Sequence, residues 1–252
     1  MTWCPAGALA LLPIHAAGQY QNGKRGPCAA DYIVSSYTPT LSNLLTEGAS
    51  PGEESPSNIL LVGQPDAPGY PSIPNVTLEL ERVSAVVQPV AKTSVLRSSD
   101  ATRIAVLSGM ADAHVTHLAC HGLASTDPLN SAIVLHDGHL EVSKLMRTPL
   151  PSARLVFLSA CQTARLSPTE PDESINIASA MLSVGFQAAI ATMWSISDRD
   201  APTISEAFYK ALLSDGEIRL GNAARALHEA IRQCQEAGMS PLQWAAFIHV
   251  GV

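Results

Sequence analysis

Two short strings of this 252-residue chain combine residue types able to do covalent chemistry. They are His117-Leu-Ala-Cys-His-Gly122 and, with its cysteine 40 positions after His121, Leu158-Ser-Ala-Cys-Gln-Thr163. A free thiol is only a few per cent ionised near neutral pH, and a neighbouring imidazole raises the thiolate fraction. Paired in space, the Cys161 thiolate would attack a carbonyl carbon and His121 would protonate the leaving amine. Gly122 has no side chain to obstruct a substrate carbonyl, and its N–H, with that of Cys161, suits a developing oxyanion. Each residue also has a plainer reading. A cysteine at the end of an apolar strand is commonly a small buried hydrophobe. Cys120 directly precedes His121, so the two side chains should point to opposite faces, with Cys120 in the core. A zinc site made from His114, His117, Cys120 and His121 fails on the same alternation, because residues three apart on a strand cannot converge on one ion. The string Gly48-Ala-Ser-Pro-Gly52 falls in a Gly, Pro and Ser loop cluster and not at a strand-to-helix turn, so it is not a nucleophile elbow, and no Walker loop or G-x-G-x-x-G fingerprint occurs.

The elements around these strings set where they stand. Asn58 to Gly63, His114 to Ala119, Arg154 to Ala160 and Gln187 to Met193 are apolar runs of strand length, and Thr93 to Leu96 suits another strand. Between them Asn75 to Val87, Ala101 to Met110 and about Ser174 to Val184 have helical spacing. Alternation of this kind implies an α/β fold with a mostly parallel sheet covered on both faces. His121 and Cys161 would then both lie at carboxyl ends of strands, where an open parallel sheet has its crevice. Asn130 to Val142 departs from the pattern: two short apolar runs flank His136-Asp137-Gly138, a tight-hairpin signal. The Gly, Pro and Ser clusters at Gly48 to Ser57 and Gln64 to Pro74 read as exposed loops. Downstream, Ala201 to Leu213 and Leu220 to Glu236 read as amphipathic helices, and Pro241 to Val252 closes the chain.

Composition narrows the function classes. With 46% hydrophobic and 15% charged residues the chain can bury a large core, and we read one domain over 1–252, with 1–57 as N-terminal strands and loops and 58–252 as the α/β core. A formal charge of -7 without basic clusters argues against a nucleic-acid partner. The apolar stretch Ala6 to Ile14 lacks the basic flank of a secretory signal and is bounded by Pro5 and Pro13, and no stretch approaches the ~18 apolar residues that span a bilayer. A soluble, cytoplasmic protein without membrane contact is the expectation. Five cysteines lack the spacing of a disulfide framework or a metal knuckle, which points to reduced thiols.

His117-Leu-Ala-Cys-His-Gly122, Leu158-Ser-Ala-Cys-Gln-Thr-Ala164 and Ala191-Thr-Met-Trp-Ser-Ile-Ser-Asp198, in that order, resemble the CHAT domain, a caspase-like and separase-like cysteine peptidase family. Trp3-Cys-Pro-Ala-Gly-Ala-Leu9, Leu12-Pro-Ile-His-Ala-Ala17 and Trp244-Ala-Ala-Phe247 extend the resemblance to nearly the whole chain. It implies a caspase-like α/β/α sandwich, His121 and Cys161 as catalytic dyad, a thioester intermediate, a protein or peptide substrate, and no metal or organic cofactor. Trp194 is expected at a pocket wall, and Asp172, Glu173 and Asp198 are candidates to line a pocket for a basic side chain, with solvated loop carboxylates the plainer account. The family commonly follows tetratricopeptide or other repeat helices, which this sequence does not contain, so a regulatory partner or a longer parent protein is expected. Asn176 stands where a histidine would be expected. The competing expectation is a catalytically silent scaffold that keeps the core and binds partners.

Overall fold

The computed structural model describes residues 1–21, 24–42, 58–123, 125, 128–159, 177–214 and 216–251. Its strands are β1 (Thr2–Trp3), β2 (Gly18–Gln21), β3 (Lys24–Cys28), β4 (Ser36–Tyr37), β5 (Asn58–Gly63), β6 (Lys92–Arg97), β7 (Val115–Ala119), β8 (Gly122–Leu123), β9 (Ala132–Leu135) and β10 (Gly138–Glu141). They continue with β11 (Leu155–Ser159), β12 (Ala188–Thr192), β13 (Leu213–Ser214), β14 (Glu217–Ile218) and β15 (Phe247–Gly251). The α-helices are α1 (Asn75–Val87), α2 (Arg103–Asp112), α3 (Val142–Leu145), α4 (Ile177–Val184), α5 (Ala201–Leu212), α6 (Ala223–Glu236) and α7 (Pro241–Trp244).

Eight strands form the central sheet in the order β1-β4-β15-β12-β11-β7-β5-β6. From β6 to β12 every pair is parallel. Then β15 runs antiparallel to β12, and β4 and β1 follow β15 in parallel. Strands β7, β11 and β12 are buried at every position, as a parallel sheet covered on both faces requires. Alternation sorts their side chains into two cores. Ile59, Leu61, Val115, Leu155, Phe157 and Ile190 join α1, α5 and α6 on one face, whereas Leu60, Val62, Leu118, Val156, Leu158 and Ala189 join α2, α3 and α4 on the other. The molecule is the expected α/β/α sandwich. Full burial of a side chain such as Phe157 contributes about 1.5–3 kcal/mol, so these two layers hold the strands that lead to the site.

The expected core strands and helices form within about two residues of their bounds where those bounds are described, Ser174 to Asn176 lying outside the described residues, and the differences have local causes. The second helix begins at Arg103 because Thr102 caps it, its hydroxyl accepting from the Ala105 N–H at 3.3 Å. At Leu220 to Asn222 the expected long helix is a 3-10 turn, and α6 starts at Ala223. The hairpin forms as expected, with Leu135 opposite Gly138. Its turn residues are His136 and Asp137, and Gly138 opens β10 at φ 124°, a backbone region that excludes most side chains. Asp137 spans to the next layer, accepting from the Arg103 N–H at 2.8 Å and from Arg103 Nε at 3.3 Å. Two features were not foreseen: the terminal strand β15, and the insertion of β1 and β4 into the central sheet from sequence-distant residues. Gln64 to Pro74 is a loop, but not the fully exposed one expected: Gln64 and Ala67 are 1% and 3% exposed. The Gly48 to Ser57 cluster lies outside the described residues.

Candidate active site

His121 follows β7 by two residues. On β7, Val115, His117 and Ala119 face the α1 and α5 side, and Thr116, Leu118 and Cys120 fall on the opposite parity. Cys120 is accordingly 2% exposed in the second core, whereas His121 is half-buried at the sheet's carboxyl edge. The loop after β5 meets it there. The Gln64 N–H donates to the Ala119 carbonyl at 3.0 Å, and the Ile73 N–H donates to the Pro65 carbonyl at 2.8 Å, closing the loop on itself. Ser72 Oγ donates to Asp66 Oδ1 at 2.6 Å.

This loop fixes the imidazole. His121 Nε2 lies 2.8 Å from the Pro71 carbonyl oxygen, which can only accept, so Nε2 carries the proton and Nδ1 of the neutral ring is the free base. Tyr70 lies against the same ring, with centroids 5.5 Å apart and planes 30° apart. The Tyr70 hydroxyl is in turn 2.8 Å from His139 Nε2 on β10. The loop and the hairpin thus hold His121 from one side.

Gly122 opens β8 and pairs with Ile133 on β9, while the Val134 N–H donates to the His121 carbonyl at 2.9 Å. That pattern makes Gly122 and Ile133 a pair of the non-hydrogen-bonded kind, so the ladder does not use the Gly122 N–H. Cys161 lies outside the described residues, as do Asp172, Glu173 and Asn176. The strand that leads to Cys161 is described: β11 pairs with β7 in parallel from Leu155 opposite Val115 to Ser159 opposite Ala119. The expectation that these two strands are neighbours is met.

Trp194 is half-buried at the end of β12, where its Nε1–H donates to the Leu242 carbonyl at 2.9 Å. Asp198 Oδ2 accepts from the Asn75 N–H at 3.1 Å and from Asn75 Nδ2 at 2.7 Å. Its carboxylate therefore caps α1, where Pro74 offers no side-chain cap, and its charge suits the helix N-terminus.

Beneath His121, a buried polar cluster anchors β7. Glu79 on α1 is 1% exposed, and its Oε1 accepts from Ser205 Oγ of α5 at 2.5 Å. His117 Nε2 lies 3.2 Å from the same oxygen. The His117 ring stacks on Phe157 of β11 with centroids 4.9 Å apart. Burial, and then the Glu79 charge, push the Tyr209 hydroxyl far above the usual phenol range. The sequence reading did not single out Tyr70, Pro71, His139 or this cluster. A glutamate among Val76, Leu80 and Val83 on one helix face, with a histidine inside an apolar strand, was the available signal for it.

Among the described residues no group of three His, Cys, Asp or Glu side chains could hold a metal ion, and no helix is long and apolar enough to cross a membrane. The fold is similar to that of separase in the separase–securin complex of Saccharomyces cerevisiae, with a TM-score of 0.60 at 12% identity. That match covers 89% of this chain and 14% of the separase chain. It is also similar to RgpB of Porphyromonas gingivalis in the complex of its pro- and mature domains, with a TM-score of 0.57 at 11% identity over 93% of this chain and 61% of that one. The chain thus spans only part of either protein. RgpB, described as an Arg-specific cysteine proteinase, also matches in a second structure at a TM-score of 0.48 and 12% identity, over 77% of this chain and 46% of that one. No curated protein matches the chain in sequence. The CHAT domain family matches it from residue 1 to residue 252, and the chain belongs to that family.

Proposed function

We propose that this chain is a cysteine endopeptidase domain, in which Cys161 is the nucleophile and His121 the general base and acid. The observation that carries the reading is the parallel pairing of β7 with β11 in a register offset of 40, from Val115 opposite Leu155 to Ala119 opposite Ser159. His121 and Cys161 each follow the last pair by two positions, and Cys161 has the parity of Leu155, Phe157 and Ser159, as His121 has that of Val115 and Ala119. The free Nδ1 of His121 supports the same roles: it takes the thiol proton, the thiolate attacks the peptide carbonyl, and the imidazolium protonates the departing amine. The resulting thioester is then hydrolysed by water with His121 as base. The Gly122 N–H, unused by its ladder, and the Cys161 N–H stabilise the oxyanion.

Trp194 forms a pocket wall in this reading, and Asp172, Glu173 and Asp198 bias the pocket toward basic side chains, Asp198 while also capping α1. One domain spans 1–252 and works in the cytoplasm on a protein or peptide substrate, under a regulatory partner of tetratricopeptide or other type. The separase–securin complex and the complex of the RgpB pro- and mature domains support a protein partner for this chain. The test is a peptide-library digest of the wild-type chain, Cys161→Ala and His121→Ala. Cleavage by the wild type alone is the expected result. Equal cleavage by Cys161→Ala removes Cys161 as the nucleophile, and no cleavage by any form with a candidate partner present supports the silent-scaffold alternative.

A further inference from the structure

We propose that Tyr70 and His139 act as a positioning pair for His121, favouring the imidazolium form and fixing the ring against the Pro71 carbonyl. The inference rests on the reading of His121 as the acid–base group. Three contacts carry it: the 2.8 Å bond from His121 Nε2 to the Pro71 carbonyl, the Tyr70 ring 5.5 Å from the His121 ring, and the 2.8 Å bond between the Tyr70 hydroxyl and His139 Nε2.

Sequence and chemistry explain why this arrangement is specific. Tyr70 precedes Pro71, and a residue before proline is confined to extended backbone, which sets the direction of the Tyr70 side chain relative to the Pro71 carbonyl. A ring at 5.5 Å and 30° lies within the offset-stacking range, and an aromatic face within about 6 Å of a cation stabilises it. When the thiol gives its proton to Nδ1, His121 becomes that cation, and Nε2–H remains bonded to Pro71. Tyr70 therefore acts on the charged state that the reaction needs. His139 keeps the face in place from the hairpin. Its Nε2 can accept from the tyrosine hydroxyl when neutral and donate to it when charged, so the tether survives protonation of His139. The one carboxylate of the loop, Asp66, is bonded to Ser72, and Asp137 of the hairpin turn is bonded to Arg103.

The experiment is side-chain nitrogen NMR of His121 across a pH titration, run beside alkylation kinetics of Cys161, on Tyr70→Leu, Tyr70→Phe, His139→Ala, His139→Gln and the Tyr70→Phe/His139→Ala double variant. Tyr70→Leu lowers the His121 titration midpoint by about half a pH unit. Tyr70→Phe and His139→Ala, which keep the ring and alter exposed or half-buried groups, each slow alkylation by about three- to tenfold. The double variant is no slower than either single one, and His139→Gln restores the rate. An unchanged midpoint in Tyr70→Leu, or additive losses in the double variant, overturns the proposal. A shifted midpoint with Cys161 unreactive in every form upholds the pair and sinks the peptidase reading. Fast alkylation with no shift does the reverse.

Discussion

Acidification from about pH 7.5 to about 5.5 should destabilise the fold by about 3 kcal/mol through His15 and His249. Both are buried, at 7% and 4% exposure, where β4 and β15 meet α6. Ser36 Oγ donates its proton to the Gly251 carbonyl at 2.7 Å, so His249 Nδ1, 2.7 Å away, must be the donor to that oxygen. Tyr37 Oη accepts from the His15 N–H at 3.1 Å and lies 2.8 Å from His15 Nδ1. Burial pushes both imidazoles from 6.5 down to about 4. A depressed folded-state value means the neutral rings cost nothing above 6.5, and stability is lost as the unfolded chain takes up protons between 6.5 and about 4. With those values the loss at pH 5.5 is about 1.4 kcal/mol per histidine, or ~3 kcal/mol for the pair. Urea unfolding at the two pH values measures it. His249→Asn keeps a donor for Ser36 but cannot titrate, and it should show a pH-dependent loss smaller by about 1.4 kcal/mol. A wild-type loss under about 0.5 kcal/mol, or an identical loss in the variant, would refute the reasoning.

Glu79→Ala leaves the buried Ser205 hydroxyl without its acceptor and His117 without its neighbouring carboxylate, and urea unfolding near neutral pH should show a loss of about 1–3 kcal/mol. A change within experimental error means the cluster does not anchor β7. Gly251 has φ 143°, and a Cβ there would stand 2.7 Å from the Gln187 carbonyl oxygen. Gly251→Ala should therefore cost about 2 kcal/mol or more in the same assay, whereas a neutral result would show that β15 shifts freely along β12.

Much of the core was legible because its signals are local. Asn58 to Gly63 and Asn75 to Val87 carry unbroken period and turn punctuation, and both elements form with those bounds. The neighbouring of β7 and β11 followed from strand-end residues and the length of the segment between them. What was hidden depends on contacts distant in sequence. Ser36 and Tyr37 make too short a strand to leave a periodic signal, and pairing with β1 and, more than 200 residues later, with β15 defines it. Phe247 to Gly251 reads equally as the end of a helix, since five buried residues fix no period. The Gln64 to Pro74 loop looked exposed because proline and glycine mark turns, yet its Tyr70 ring and Pro71 carbonyl meet His121. Propensity reports the turn but not what the turn touches.

The central claim is that His121 activates Cys161. Four other cysteines provide internal references: Cys4 is exposed, and Cys28, Cys120 and Cys234 are buried. Burial also raises the Cys234 thiol to about 11, which keeps it unreactive. The direct measurement is the rate of iodoacetamide labelling at each cysteine near pH 7, resolved by peptide mass spectrometry, in the wild type and in His121→Ala. Cys161 should react at least about tenfold faster than Cys4 in the wild type and fall to the Cys4 rate in the variant. Equal rates at Cys4 and Cys161 in the wild type, or a fast Cys161 that ignores the loss of His121, would contradict it.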